Sequence, residues 1–89
     1  MKTLIVTGAS RGVGFEICKQ LAVKGHKVIA LSRNIKPLGS MENVYPYSVD
    51  LSIKSQVNGF VKEISANFNT IDVLINNAGS LVNKPFLDL

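Results

Sequence analysis

Glycine residues near the amino terminus have the spacing of a turn that could bind phosphate. Residues 7–14 read Thr-Gly-Ala-Ser-Arg-Gly-Val-Gly and follow the apolar residues 4–6, an order that predicts a strand, a tight turn and a helix start. Glycine there lets backbone N–H groups approach a phosphate, and the helix N-terminus adds partial positive charge. Gly8 would permit the turn, Gly12 would let the backbone meet a pyrophosphate, and Gly14 would let the helix pack closely on the strand. We therefore predict a dinucleotide-binding turn, against the alternative of a purely structural one. The residues assigned to it are Gly8, Ser10, Arg11, Gly12, Val13 and Gly14.

Two arginines could decide which dinucleotide binds. Arg33 follows the second apolar run, about twenty positions past the glycine turn, where an acidic residue would bind the ribose 2′-hydroxyl of NAD. Its planar guanidinium cannot accept a hydrogen bond but can bind a 2′-phosphate, and Arg11 could flank the same phosphate. Each charge-assisted hydrogen bond contributes about 1.5–3 kcal/mol, so we expect NADP to be the cofactor, with NADPH preferred over NADH. The alternative for Arg33 is a solvated surface arginine.

Two further polar segments follow apolar runs, at the side of the sheet where open α/β proteins bind ligands. Asp50 and Leu51 end the third run, and the Asp50 carboxylate could accept a hydrogen bond from an adenine amino group or start a helix beside Ser52. Residues 76–79, Asn-Asn-Ala-Gly, follow the fourth run. Their small residues would permit close approach of a cofactor, and their amides would tie neighbouring strands together; the alternative is an ordinary turn. The residues assigned to the cofactor site here are Asp50, Leu51, Asn77, Ala78 and Gly79.

The elements that position these residues alternate between strands and helices, which predicts an α/β fold with a parallel sheet and right-handed crossovers. Pro46 places the third strand toward a sheet edge. Helical spacing of apolar residues predicts two helices, the first closed by Gly25 and the second capped by Ser52. Predicted strands cover residues 2–7, 28–31, 44–49 and 72–75, and predicted helices cover 14–24 and the stretch from Ser52 toward Phe68.

The size and charge of the chain limit its class. Its 89 residues make one domain at most, and 46% hydrophobic with 7% aromatic residues suits a soluble α/β core. The net charge is +4, but the 10 Lys and Arg residues are scattered, so we expect no nucleic-acid partner. The apolar runs are too short to span a bilayer and there is no signal-peptide pattern. The single cysteine suits a reducing compartment, which predicts a cytoplasmic location.

Two other reactive side chains are given structural interpretations. Cys18 lies on the apolar face of the first helix, where it serves as a small core residue. His26 follows Gly25 in a turn, where we expect it to be exposed. Because no other metal-binding residues cluster with it, we predict no metal site there.

We expect residues 80–89 to be a loop-like segment around Pro85 with no closing element, an ending unusual for a complete protein.

Taken together, these motifs resemble the short-chain dehydrogenase/reductase family. The pattern T-G-x-x-x-G-x-G matches residues 7–14, the downstream acidic residue matches Asp50, and N-N-A-G matches residues 76–79 in full. The resemblance implies a Rossmann-type sheet of strand order 3-2-1-4, half of a doubly wound fold, in which the glycine turn binds pyrophosphate and Asp50 contacts adenine. It also implies that residues 76–79 stabilise the sheet and line the cofactor site. Arg11 and Arg33 resemble the basic pair of the NADP-preferring members.

Two departures from the family pattern shape the functional prediction. The segment between the second and third strands is short, so we expect the second helix of the family to be reduced or missing. The family's catalytic Asn, Ser and Tyr-x-x-x-Lys lie beyond its N-N-A-G motif, and residues four positions past Tyr45 and Tyr47 are Val49 and Leu51. We therefore assign no catalytic residue and interpret residues 1–89 as the amino-terminal part of one dinucleotide-binding domain.

Three alternative functions are consistent with these motifs. The first is the cofactor-binding part of an NADP-dependent oxidoreductase that moves hydride between nicotinamide and a carbonyl or alcohol substrate; the 89-residue chain alone would be inactive. The second is a stand-alone, non-catalytic nucleotide-binding module, and the third is a structural or regulatory remnant. The fourth strand would be an open apolar edge, which invites association, so we expect a homo-oligomer or aggregation.

Overall fold

The structure, a computed structural model, describes residues 1–10, 12–39 and 41–77. Strands and helices alternate along the chain. Within these ranges no helix is long and apolar enough to cross a membrane. The elements, in chain order, are β1 (Thr3–Thr7), α1 (Gly12–Val23), β2 (Lys27–Ser32), a 3₁₀ helix (Lys36–Leu38), β3 (Val44–Ser48), α2 (Lys54–Asn67) and β4 (Val73–Ile75).

The four strands form one parallel sheet in the order β3-β2-β1-β4, which confirms the Rossmann-type prediction. Strand β1 is central, and Thr7 pairs with Leu31 of β2 while Val6 pairs with Ile75 of β4. Because all four strands run in the same direction, the segments that follow them meet at one edge. This carboxyl edge of the sheet therefore gathers the motifs found in the sequence.

Strands β1 and β2 are apolar because both faces of the sheet are covered. Alternate residues point to opposite sides, so Val6, Val28 and Ala30 pack with Cys18 and Ala22 of α1. The intervening residues pack against α2 on the other face. That second cluster contains Ile5, Ile29, Leu31, Val49, Val57, Phe60 and Ile64.

Cys18 is fully buried under α1, as the sequence predicted. Burial raises the pKa of its thiol to about 11, so the side chain stays protonated at neutral pH. It therefore packs as a small apolar residue.

The connection between β2 and β3 is short, as expected from the sequence. A single 3₁₀ turn replaces a full helix, and its Leu38 is fully buried on the α1 face. Asn43 has a positive φ of 67° and donates from its side chain to the carbonyl of Ala22 at 3.2 Å. These contacts fasten the connection to the end of α1.

The sequence predicted the carboxyl-terminal cap of α1 correctly and the amino-terminal cap of α2 incorrectly. Helix α1 closes at Gly25, whose φ is 91°; the N–H of His26 donates to the carbonyl of Leu21, and that of Gly25 to Ala22, the two bonds of a Schellman cap. The prediction that Ser52 caps α2 is wrong. The N-cap residue is Ile53, whose side chain makes no capping hydrogen bond; Ser52 lies one residue before it, and its hydroxyl donates to the Asp50 carboxylate at 2.6 Å.

At the amino ends of the strands, two side chains accept hydrogen bonds from the start of β1. Asp72 accepts from the N–H of Thr3 at 2.8 Å. His26, expected to be exposed, is half-buried, and its Nδ1 accepts from the N–H of Lys2 at 3.0 Å. His26 thus has a structural role at the edge opposite the sequence motifs.

Candidate cofactor-binding site

The glycine turn after β1 is held open by its backbone conformation. Gly8 and Gly12 have φ values of 60° and 61°, in the left-handed region that favours glycine. The N–H of Ala9 donates to the carbonyl of Leu31 at 3.0 Å, which fastens the turn to the end of β2. Gly12 is exposed at the start of α1, and no described atom beyond its chain neighbours and its own helix backbone lies within 4 Å of where a Cβ would be. Gly8 and Gly12 therefore present backbone without a side chain at the carboxyl edge.

Gly14 lies at the closest contact between α1 and the sheet. A Cβ at this position would overlap the carbonyl oxygen of Gly8 and lie 2.6 Å from Nδ2 of Asn77. Gly14 is buried, and because the Gly8 oxygen belongs to the backbone, it cannot move aside by a change of rotamer. This is the close packing of helix on strand expected from the sequence, and Asn77 forms part of it.

A buried threonine joins the ends of β1 and β4. Thr7 is fully buried; its hydroxyl donates to Oδ1 of Asn76 at 2.9 Å and accepts from the N–H of Asn77 at 2.8 Å. The segment after β4 therefore does tie neighbouring strands together, as proposed for the asparagine motif. Thr7 is the first residue of the glycine-turn motif in the sequence, but it was not assigned to the site, because the motif alone does not reveal its partners after β4.

One serine hydroxyl connects β2 to the glycine turn, and another connects β3 to the residue that follows β2. Ser32 donates to Ser10, with 2.6 Å between the two oxygens, and Ser48 donates to the carbonyl of Arg33 at 3.0 Å. The Arg33 residue is exposed, while its backbone is held by β3. Ser32 and Ser48 were missed because an isolated serine at a strand end has no distinctive pattern.

Asp50 follows β3 and is held by its neighbours. Its Oδ1 accepts from the Ser52 hydroxyl at 2.6 Å and from the Ser52 N–H at 3.0 Å. These two bonds lower the pKa of Asp50 from its ordinary value; desolvation opposes them, and the Arg33 charge adds a smaller lowering. The carboxylate is therefore ionised at neutral pH and can only accept hydrogen bonds.

Val13 and Leu51 are the other residues assigned to the site whose positions the structure describes. Val13 is 68% exposed in the first turn of α1, and Leu51 is partly buried against the α2 cluster. Within the described part of the chain, the site therefore brings together the glycine turn, the ends of β2 and β3, and Asn77. Three assigned residues lie outside the described ranges: Arg11, Ala78 and Gly79.

The sequence matches the family model for short chain dehydrogenases over residues 2–89. The chain belongs to this family. The strand order and the position of the glycine turn at the carboxyl edge agree with that membership.

Relatives of this chain include solved oxidoreductase structures in complex with NADP and with NADH. It is 35% identical over 95 residues to the NADPH-dependent 1-acyldihydroxyacetone phosphate reductase of Saccharomyces cerevisiae, a match covering 98% of this chain and 32% of that protein. The structure of a metagenomic short-chain oxidoreductase in complex with NADP matches with a TM-score of 0.77 and 31% identity, covering 89% of this chain and 39% of that one. A 4-hydroxyisoleucine dehydrogenase complexed with NADH matches with a TM-score of 0.82 and 27% identity, covering 98% and 37%. The chain thus spans between three and four tenths of the length of these relatives.

Proposed function

We propose that this chain forms the NADP(H)-binding part of a single dinucleotide-binding domain, in an oxidoreductase that moves hydride between nicotinamide and a carbonyl or alcohol substrate. Membership of the short-chain dehydrogenase family supports the oxidoreductase class. When bound, the nicotinamide supplies or accepts the hydride. The described residues of this chain would bind the adenosine and diphosphate half of the cofactor.

The backbone of the glycine turn suits a diphosphate. The first N–H groups of α1 have no partner within the helix, and they lie where Gly12 leaves open space. The helix dipole adds partial positive charge at the same place. Val13 and Gly14 would donate backbone N–H groups to phosphate oxygens, and the Ala9–Leu31 bond keeps the turn in place.

The segment after β3 suits an adenine ring. Oδ2 of Asp50 and the N–H of Leu51 make no hydrogen bond to another described residue. Consecutive residues thus offer one acceptor and one donor. Adenine presents the complementary pair, an amino group and a ring nitrogen.

The preference for NADP over NAD depends on the residue after β2. Arg33 stands there, exposed, where a carboxylate would be needed to accept from a ribose 2′-hydroxyl. Because family relatives bind NADP in one structure and NADH in another, the family alone does not decide the cofactor. Arg33 is the observation that carries the assignment, and the NADPH-dependent yeast relative supports it.

Exchanging the charge at Arg33 tests the proposal. In the full natural chain that carries these residues, we expect Arg33→Asp to lower the ratio of NADPH to NADH affinity by about tenfold to a hundredfold, since charge-assisted bonds to the 2′-phosphate would be lost. Titration calorimetry with both cofactors measures the ratio. Lys62→Asp, an equal charge change on the exposed face of α2, is the matched control. An unchanged ratio in Arg33→Asp, or an equal change in the control, would exclude a role for Arg33 in choosing the cofactor.

We further propose that the 89-residue chain associates through the outer edge of β4, which pairs with no other strand among the described residues. The bonds from Val28 to Asn43 and from Val49 to Ser32 show that alternate residues of β3 face β2, which leaves Pro46 facing outward with no N–H to offer. By the same alternation from the Asp72–Thr3 bond, Val73 directs its N–H away from β1. Edges with free donors and apolar residues invite strand addition, and proline blocks it.

Sedimentation velocity of two proline variants tests this edge assignment. Val73→Pro should abolish concentration-dependent association without removing a bond to β1, because that N–H faces outward. Pro46→Val should increase association by opening the β3 edge. Equal association of wild type and Val73→Pro would show that β4 is not the contact.

A further inference from the structure

Asp50, the residue proposed to bind the adenine ring, is held by Ser52, which lies just before α2, and by Gln56 in the first turn of α2. Oε1 of Gln56 accepts from the N–H of Asp50 at 2.8 Å. The hydroxyl and N–H of Ser52 both donate to Oδ1 of Asp50, at 2.6 and 3.0 Å. The carbonyl of Asp50 accepts from the N–H of Ile53 at 3.0 Å. Backbone and side chain of Asp50 are therefore both restrained.

These bonds leave a defined pattern of polarity. Oδ1 of Asp50 is engaged twice, so Oδ2 is the oxygen left to meet a ligand, and the next residue, Leu51, offers its N–H. Val49, just before them, donates to the carbonyl of Ser32 at 3.0 Å, which anchors this segment to the sheet. The acceptor and the donor thus lie on a stretch of backbone held at both ends.

The two kinds of purine differ in the same two positions. A 6-amino purine such as adenine has a donor at its 6-position and an acceptor at N1, which complements Oδ2 and the Leu51 N–H. A 6-oxo purine such as hypoxanthine has an acceptor at the 6-position and a donor at N1. It would place oxygen against an ionised carboxylate and N–H against N–H. A site with one hydrogen-bond pattern disfavours the reverse pattern, because acceptor then faces acceptor and donor faces donor, and these groups lose hydrogen bonds to water without replacement.

We propose that Ser52 and Gln56 are positioning residues that hold Asp50 for a 6-amino purine and thereby select against a 6-oxo purine. The proposal rests on the cofactor-binding function proposed above. Ser52 touches Asp50 and would act on the base only through it. Neither residue was assigned to the cofactor site from the sequence.

Competition between two dinucleotides tests the selection. The probes are NADPH and its hypoxanthine analogue, measured by titration calorimetry on the full natural chain. We expect NADPH to bind about tenfold to a hundredfold more tightly. Ser52→Ala should reduce that ratio by about threefold to tenfold, Gln56→Ala should also reduce it, and Ser52→Thr should restore it. Ser55→Ala, an exposed serine in the first turn of α2, is the matched control and should leave the ratio unchanged.

A second readout does not depend on cofactor binding. The Ser52 bonds lower the pKa of Asp50, and Arg33 is the charged group that acts on the same carboxylate. With Arg33 intact, Ser52→Ala should raise the Asp50 pKa toward its ordinary value in a carboxyl titration by NMR, and Ser52→Thr should not. A structural role for Ser52 without a hold on the carboxylate would leave this titration unmoved.

The outcomes separate the two proposals. If neither dinucleotide binds, the cofactor-binding function and the selection both fail. If both bind equally, the cofactor function stands and the base selection is wrong. If NADPH is preferred but Ser52→Ala and Gln56→Ala leave the ratio unchanged, these residues do not position Asp50.

Discussion

The two strand-to-helix junctions at the carboxyl edge of the sheet are built in opposite ways. Between β1 and α1 the chain uses glycines, with positive φ at Gly8 and Gly12 and a helix so close that a Cβ at Gly14 would overlap a backbone carbonyl. Between β3 and α2 the chain uses exposed side chains, with Ser52 and Gln56 holding Asp50.

We expect the junction between β1 and α1 to affect mainly the stability of the fold, and the junction between β3 and α2 to affect mainly ligand selectivity. At the first junction Gly14 and Thr7 are buried, so an atom added at Gly14 meets backbone and a polar group left unpaired beside Thr7 is costly. The second junction is exposed, so substitutions there should alter which groups are presented while the fold persists. We therefore expect the largest effects on stability near β1 and smaller ones near β3.

The largest effect should come from Gly14→Ala. The added methyl group meets the Gly8 carbonyl and the Asn77 amide, and overpacking against backbone costs about 3 kcal/mol, more than the gain in helix propensity. Gly59→Ala is the matched control, because α2 leaves open space there and the change should stabilise the protein by about 0.5–1 kcal/mol. Urea unfolding measures both. Equal effects in the two variants would mean that the first junction is not confined.

Thr7→Val should have the next largest effect. The variant keeps the shape of the side chain but leaves the Asn77 N–H and Oδ1 of Asn76 without the Thr7 hydroxyl. We expect a loss of about 2 kcal/mol in the free energy of unfolding. Thr3→Val, a half-buried position of the same strand, is the control and should change stability little. A loss of stability in Thr3→Val but not in Thr7→Val would show that the hydrogen bonds of the Thr7 hydroxyl do not stabilise the fold.

These two sites show where sequence reasoning succeeded and where it stopped. Local patterns were sufficient for β1, β2 and the Gly25 cap, because apolar runs and a terminal glycine act over a few residues. The Thr7–Asn77 bond joins positions 70 apart, and no local pattern reveals it. The strand order came from a family resemblance together with crossover rules. The Ser52 cap was wrong because residue preference does not fix where a helix begins: the N-cap is Ile53, and Ser52 lies one residue earlier.

Adding a capping side chain at the start of α2, in the second junction, should moderately increase the free energy of unfolding. Ile53 is 41% exposed and offers no side-chain acceptor at the N-cap. Ile53→Ser should stabilise the protein by about 1 kcal/mol, measured by thermal or urea unfolding. Ile71→Ser, a change of the same type at a 37% exposed isoleucine outside any helix, should give no such gain. A gain at both positions would trace the effect to lower surface hydrophobicity.

The smallest effect should be the pH dependence contributed by Asp50. Its folded-state pKa is lowered from the ordinary value of 3.8, so the unfolded chain binds the proton more readily than the folded one. The stabilising contribution is therefore present above pH 3.8 and disappears as the pH falls through the folded-state value. The group is exposed, so solvent screening keeps the contribution small. Unfolding curves of wild type and Asp50→Asn from about pH 7 to about pH 2 should converge at the acid end. Curves that diverge on acidification would show that the second junction does not stabilise the ionised carboxylate.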